Sequence, residues 1–452
     1  MTQIHCIKKM FGIKDPNIIL EDIPVEFEKL NQINHMIIQG KLTYTPRCCV
    51  NCGVLNQSHQ DIIKNGTKVS TIKLTHINFQ PLLLRLKKQR FLCKHCHQTF
   101  IAETTLVERH CFISTIIKQT IAMELREIQS MTLVAQHLSV STSTVIRVLR
   151  QVAKPLASKH LYLPQHLSID EFKSVGAVSG AMSFLFIDAQ NHRLMDVVED
   201  RRKDHLIDYF LRYPKESRYS VKTVTMDMYS PYMAVVKTCF PNAQIVIDRF
   251  HIVQHLNRAL NTHRIRVMNN LYSKRPRDYR KLKKQWKLLL KNDWELNVSD
   301  YRTHRLYDGL MTEKMMVDYL LSLDPQLRQV YMLVNHLRFA LYQHDFEQFS
   351  TILEDTRQQI LPRKIRTTVQ TLVTHRVGIS NACFYTLSNG AIEGINNKIK
   401  TIKRSGFGYR NYTNLRARIL VSFRLTINHF EPKALRYQDE QARQKEKAKV
   451  RI

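Results

Sequence analysis

The chain has 452 residues, 44% of them hydrophobic, enough for two to four domains with cores of their own. No window approaches the eighteen or so uninterrupted apolar residues of a membrane span, and the start, MTQIHCIKKMFGIKDPN, lacks an apolar core followed by a small-residue cleavage site, so neither a spanning nor a secreted protein is expected. Lys and Arg number 69 against 38 Asp and Glu, a formal net charge of +31; such a surplus repels itself unless a polyanion shares the surface, and nucleic acid is the natural one, ahead of a merely soluble basic protein, a ribosome-associated one or an anionic membrane.

Residues 1–42 mix polar and apolar positions and read as a short helical lead-in. From 43 to 104 short strands and turns are expected, framing two Cys-x-x-Cys pairs, Cys49/Cys52 and Cys93/Cys96. In a cytosolic chain such pairs signal metal rather than disulfides. The two-residue spacing lets the backbone turn round the ion, and Gly53 can supply the positive φ of the knuckle. Four thiolates close a tetrahedral structural Zn²⁺ site and leave no open position for catalysis. Unmetallated core thiols are the alternative, and Cys48 could compete with Cys49. Cys6, Cys111, Cys239 and Cys383 are read as ordinary packing. Lys87, Lys88 and Arg90 are either phosphate contacts of a zinc ribbon or an exposed basic strand end.

Three helices follow, at 113–127, 131–138 and 142–153. SMTLVAQHLSVSTSTVIRVLRQV (130–152) fits a helix-turn-helix. Leu133, Val134 and Leu138 give the first helix an apolar face, Val140 plugs the turn, and Ser141 or Thr142 caps the second helix. Val145, Val148 and Leu149 face inward, which leaves Ser143, Thr144, Arg147 and Arg150 outside for bases or phosphates. Many helical hairpins share this pattern; its weight comes from standing beside a zinc ribbon in a strongly basic chain.

After a proline-containing linker the periodicity changes. HLSIDEFKSV (166–175), AMSFLFIDA (181–189) and HRLMDVVED (192–200) read as a three-strand meander. A helix at 205–212, a buried strand at 221–227, a helix at 232–240 and a strand at 243–248 imply parallel pairing. Residues 251–380 carry helical periodicity and a basic run, SKRPRDYRKLKKQWKLLLK (273–291), read either as a DNA contact or as the solvated face of a bundle. Helices at 390–404 and 413–427 precede a charged tail.

Acids stand among the strands. Asp170 interrupts an apolar strand, Asp227 ends the run 221–226, Asp248 ends 245–247, and Glu393 opens a late helix between Gly390 and Gly394. A carboxylate beside a buried strand is costly without a cationic partner or a divalent ion. The element order is that of a ribonuclease H-like domain, in which the first and fourth strands are neighbours, so Asp170 and Asp227 would meet and the late helix would bring Glu393. Such a trio can hold two Mg²⁺ (or Mn²⁺) ions about 3.5–4 Å apart. Asn397, Lys400 and Arg404 lie at helical spacing from Glu393, with Asn396 and Lys403 alongside; the bland reading is a solvated basic helix. Glu171, Asp188, Asp196 and Asp200 are read as edge or surface acids.

In order along the chain, the first cysteine pair, RFLCKHCHQTF, the helix-turn-helix, SIDEF, TMDMYSPY, DRFHIVQ and NGAIEGINNKIKTIKRSGFGYRN resemble insertion-sequence transposases of the ISL-three family over nearly the whole length. The resemblance implies a multidomain α+β protein: a lead-in (1–42), a zinc ribbon (43–104), a helix-turn-helix domain (105–155), and a ribonuclease H-like α/β catalytic domain (160–250 and 381–428) interrupted by a helical insertion (251–380), then the tail (429–452). It carries the catalytic Asp, Asp and Glu over to Asp170, Asp227 and Glu393, with Asp248 and His251 of DRFH as supporting residues. The implied activity is binding of terminal inverted repeats in double-stranded DNA, metal-dependent strand cleavage and transfer to target DNA, by a homodimer or higher assembly in the bacterial cytoplasm at the nucleoid, without a membrane. The competing functions are a non-catalytic, domesticated DNA-binding regulator and a structure-specific nuclease.

Overall fold

A computed structural model describes residues 7–426 apart from 9, 22–24, 31, 58–59 and 386. Cys6 and the charged tail at 429–452 lie outside the described residues. The chain divides into two compact units, Met1–Ala157 with Ile399–Ile452, and Ser158–Lys398. Among the described residues no helix is long and apolar enough to cross a membrane.

The first unit opens with a six-stranded sheet of β1 (Ile18–Leu20), β2 (Glu26–Leu30), β3 (Ile33–Leu42), β4 (Ile62–Ile77), β5 (Gln80–Cys93) and β6 (Thr99–Ile101). β4 and β5 form an antiparallel hairpin of 16- and 14-residue strands, longer than the short strands expected. The helical lead-in is not observed over the described part of 18–42, which is three strands. Ile18 and Leu42 are buried with Leu82, Leu84 and Leu86 of β5, against which β3 pairs in parallel. That burial depends on a strand forty residues further on, so local pattern does not reveal it.

Three helices follow: α1 (Thr115–Glu124), α2 (Met131–His137) and α3 (Thr142–Ala153). Ser114, Ser130 and Ser141 cap them by accepting the N–H of Ile117, Leu133 and Thr144, each such cap contributing about 1 kcal/mol. Ile121, Val134, Val145, Val148 and Leu149 form one core, and it is completed by Ala417, Leu420, Val421 and Leu425. The first three of these belong to the final helix and Leu425 caps it, so the stretch assigned from sequence to the catalytic domain (381–428) is divided, its end packing with α1–α3. Arg418 of that helix is buried and donates from Nη2 to the carbonyls of Glu127 (2.6 Å) and Gln129 (3.0 Å).

The second unit is built on a five-stranded sheet of β7 (His166–Lys173), β8 (Met182–Asp188), β9 (Arg193–Val198), β10 (Thr223–Met226) and β11 (Gln244–Ile247), in the order β11-β10-β7-β8-β9. β7, β8 and β9 are an antiparallel meander, while β10 and β11 are added in parallel. The helices α4 (Lys203–Phe210), α5 (Lys215–Tyr219) and α6 (Ser230–Cys239) come between these strands. Leu206, Phe210, Val235 and Val236 pack with Ile169, Phe184, Phe186 and Met226 of the sheet. Asp188, Asp196 and Asp200 prove to be buried rather than surface acids, Asp196 lying on the edge strand β9. Each is satisfied: Asp188 accepts the Gln190 and Asn191 N–H groups, Asp196 the Tyr209 hydroxyl at 2.8 Å, and Asp200 the Arg202 N–H and guanidinium.

Helices α7 (Arg249–Asn270), α8 (Pro276–Lys284), α9 (Trp286–Leu290), α10 (Glu313–Ser322), α11 (Pro325–Tyr342), α12 (Phe346–Asp355), α13 (Arg363–Thr374) and α14 (Arg376–Phe384) form a bundle, with a small ribbon at Arg302–Thr303 and Leu310–Met311. It is continuous with the sheet rather than a separate body: Ile247 joins its core, and Asn381 Nδ2 of α14 donates to Ile245 O at 2.8 Å. Gly378 lets α14 approach, since a Cβ there would stand 2.7 Å from Ile247 Cγ1. The chain ends in α15 (Gly390–Ser405) and α16 (Tyr412–Arg424).

Candidate active site and metal centre

The four paired cysteines converge. Register Ile62↔Cys93 brings the end of β5 back to the loop that carries Cys49 and Cys52, so the long hairpin closes the gap between the pairs. All four sulfurs lie within 4.8 Å of one another. Cys49 Sγ is 3.7 Å from Cys96 Sγ, and Cys52 Sγ is 3.8 Å from Cys93 Sγ. Zinc–sulfur bonds of about 2.3 Å in a tetrahedron require sulfur–sulfur edges of about 3.8 Å, so the donor set fits a structural zinc. Gly53 turns the knuckle at φ +77° and donates its N–H to Cys49 O at 2.9 Å. Burial alone would raise the Cys93 thiol; the backbone N–H groups of Cys96 and His95 outweigh it and draw it down to about 7. Cys48 stays outside the group.

On α3, Ser143, Arg147 and Arg150 are exposed as expected, but Thr144 is not an outer residue. It is buried, with its hydroxyl 3.0 Å from Ser141 Oγ, because the cap needs it there. Arg150 Nε donates to Asn414 Oδ1 at 2.8 Å. Along α15, Asn397, Lys400 and Arg404 are exposed and Lys403 is half-buried.

The acids of the second unit gather where β10 and β11 end. Thr225 pairs with Ser168, and Met226 with Ile247. Carrying these parallel registers forward sets Asp170, Asp227 and Asp248 side by side on three adjacent strands. Asp170 accepts the Glu171 N–H on Oδ1 at 2.7 Å and Asn396 Nδ2 on Oδ2 at 2.6 Å. Its burial, reinforced by the charge of Asp227 and opposed by the Glu171 N–H, pushes its carboxyl up to about 6. His251, in the first turn of α7, places Nε2 2.8 Å from Asp227 Oδ1 and 3.9 Å from Asp248 Oδ2, and the hydrogen bond to Asp227 raises its imidazole. Asp248 is buried; that burial raises its carboxyl, against the N–H groups of Asn389 and Phe250 that it accepts.

Asp227, Asp248 and His251 form the close ligand group, and Asp170 borders it in a cleft of about 220 Å³ lined also by Glu171, Arg201 and Tyr232. Glu393 is half-buried on α15, one turn before Asn396, outside both the close group and the cleft lining. Sequence reasoning set Asn396 merely alongside, and read Glu171 as an edge acid. Glu171 instead lies in the cleft wall, ion-paired with Arg201 and accepting the Tyr232 hydroxyl at 2.9 Å. The signal for Asn396 was its position three residues after Glu393, on the same side of a helix.

A family profile described as "Transposase", of the ISL-three type, matches residues 167–419, more than half of the chain. The chain belongs to this transposase family. It is similar to the "Transposase for insertion sequence element IS1001" of Bordetella parapertussis, with 25% identity over 386 residues, 83% of this chain and 88% of that one. It is also 34% identical over 111 residues to a Lactococcus lactis subsp. lactis protein named "ATP-dependent protease", a stretch of 25% of this chain and 35% of that protein.

Proposed function

We propose that this transposase binds the terminal inverted repeats of its element and cuts and rejoins their DNA strands on a ribonuclease H-like sheet, with Asp170, Asp227 and Glu393 as the catalytic acids. One observation carries the reading: Asp170 and Asp227 are brought together on neighbouring parallel strands, and the helix that bears Glu393 is tied to Asp170 through Asn396 at 2.6 Å. The strand order, with a meander followed by two parallel additions, supports the same core. Asp227 is preferred to Asp248 as the second acid because it faces the cleft, whereas Asp248 is buried and bound by backbone N–H groups.

The donor chemistry fits hard divalent ions. Carboxylate oxygens suit Mg²⁺ or Mn²⁺, and an Asp170 carboxyl pushed up to about 6 by burial and by a neighbouring carboxylate is one that a cation would settle. When bound, two such ions supply activation of the attacking oxygen and stabilisation of the leaving one. The chain's own side chains do the positioning. Asn396 and the Glu171 N–H fix both oxygens of Asp170, and His251 balances the charge of Asp227. Arg201, ion-paired to Glu171 in the cleft wall, faces the space a phosphodiester would enter. Cys49, Cys52, Cys93 and Cys96 would hold zinc and stiffen the ribbon.

DNA recognition is assigned to the helix-turn-helix of α2 and α3 through Ser143, Arg147 and Arg150, and to Asn397, Lys400, Lys403 and Arg404 on α15. Two ends must be held together, so the working form is a homodimer or larger, acting in the cytoplasm on nucleoid DNA. The test pairs end binding with cleavage. Asp170→Asn and Glu393→Gln bind a terminal-repeat duplex as the unaltered protein does, yet leave it uncut with Mg²⁺. Cleavage by either variant at the unaltered rate removes that residue from the site. Binding without any cleavage by the unaltered protein supports a regulator, and cutting of branched DNA without regard to end sequence supports a nuclease.

A further inference from the structure

α15 ends in a turn, Gly406-Phe407-Gly408, that leads into α16 within the first unit. The turn is closed by the Phe407 N–H on Arg404 O at 3.0 Å and the Gly408 N–H on Lys403 O at 3.1 Å. Gly406 must lack a side chain, because a Cβ there would stand 2.7 Å from the ring of the half-buried Tyr409. Phe407 and Gly408 then take φ +51° and +95°. Glycine adopts this region freely, whereas a phenylalanine is rarely found there and costs on the order of 1 kcal/mol. The sequence therefore spends backbone strain to place an aromatic ring, and the ring is 93% exposed, covered by nothing in its own unit. A lone exposed apolar side chain is ordinary, and Phe79 in the β4–β5 turn shares the positive φ and the exposure; what sets Phe407 apart is the charge around it. Its surroundings are cationic: Lys400, Arg404 and Arg410 are exposed within seven residues on either side, with no acid between 394 and 426.

We propose that Phe407 is a base-stacking platform for unpaired DNA: its ring packs on an unpaired base while Arg404 and Arg410 grip the flanking phosphates. The inference rests on the DNA-binding reading above. A cationic rim selects a polyanion over an apolar protein partner, and an aromatic face set among phosphate-binding groups is what single-strand binders present. The turn fixes the backbone that carries the ring before DNA arrives, so only the ring's own rotation remains to be ordered on binding.

The test compares two fluorescent 30-base-pair duplexes of the same arbitrary sequence, one blunt and one with a four-nucleotide 3′ overhang, by anisotropy at fixed salt with the full chain. Phe407→Ala should weaken overhang binding at least about fivefold, the lower end for one lost base stack, and leave blunt-duplex affinity within about twofold. Phe407→Trp should restore overhang binding, and Phe407→Leu, which keeps the apolar bulk without the π-face, should not. Arg404→Ala with Arg410→Ala should weaken both probes and lower the salt slope by about two. The platform is refuted if Phe407→Ala binds the overhang normally, if it loses both probes equally, or if Phe407→Leu rescues. It is also refuted if Phe407→Ala turns a sedimenting dimer into a monomer without DNA, which would make the ring a subunit contact. If the unaltered chain binds neither duplex, the DNA-binding reading itself has failed, an outcome separate from all of these.

Discussion

Replacing Cys52 with serine tests the metal centre at its most accessible ligand, since Cys52 is exposed whereas Cys49 and Cys93 are buried. Sulfur separations of 3.7 and 3.8 Å match the edge of a zinc tetrahedron, so the site is already shaped for the ion. Structural zinc binds four thiolates with an apparent free energy of about 10–16 kcal/mol, or roughly 2.5–4 kcal/mol per ligand. Cys52→Ser should therefore weaken zinc binding by a few hundredfold, at about 1.4 kcal/mol per factor of ten. The assay is elemental analysis of the purified chain, followed by competition against a chromophoric chelator. Cys48→Ser is the matched control, one residue from Cys49 yet outside the group. The expected outcome is one zinc per chain in the unaltered protein and in Cys48→Ser, and a readily stripped ion in Cys52→Ser. Equal zinc loss in the two variants, or a purified chain that neither contains nor takes up zinc, would falsify the assignment.

Three further outcomes follow from the second unit. Asp170 has a folded pKa raised to about 6, so its ionised form weakens the metal-free fold and that cost grows as pH rises from about 4 through 6. Asp170→Asn should accordingly melt higher than the unaltered chain at pH 8 without divalent ions, with the difference vanishing by pH 4; an unchanged gap across that range refutes the shift. Asn396→Ala removes a hydrogen bond to a carboxylate, which contributes about 1.5–3 kcal/mol, and should lower the cleavage rate by roughly tenfold or more at saturating DNA without changing DNA affinity; single-turnover kinetics would separate the two. Gly378→Ala forces a Cβ to 2.7 Å from Ile247 Cγ1. Overpacking costs about 1–3 kcal/mol and helix propensity returns about 1, so urea unfolding should show a loss of about 1 kcal/mol, and a gain in stability would show that α14 does not sit tightly on β11.

Features set by local chemistry were legible in the sequence. Serines before apolar runs marked the starts of α1–α3, alternation marked β7–β9, and the spacing of cysteines marked their convergence. Features set by distant partners were not. β3 is a strand because β5 lies beside it, and α16 packs with α1–α3 because Leu420 and Val421 fill their core, and neither partner is near in sequence. Single-residue resolution on a helix was also out of reach. Asn396 and Asn397 are adjacent and chemically identical, yet only Asn396 is buried against Asp170. Thr144 was placed outside by its polarity, although a capping hydroxyl can satisfy it inside. Buried acids such as Asp196 escaped for the same reason: their partners, here Tyr209, come from another element.

The first unit is assembled from both ends of the chain, with the whole of the second unit encoded between them. Ribosomes add about 5–20 residues per second, so α3 emerges roughly 13–53 s before the end of α16. Throughout that interval the face of α1–α3 that receives Leu420 and Val421 is uncovered, whereas the last strand of the sheet bearing Asp170, Asp227 and Asp248 has been made by residue 247. Biosynthesis thus finishes the sheet of the second unit before the helical core that α3 belongs to. A chain released between residues 248 and 412 would therefore retain all three aspartates while the apolar face of α1–α3 stayed uncovered.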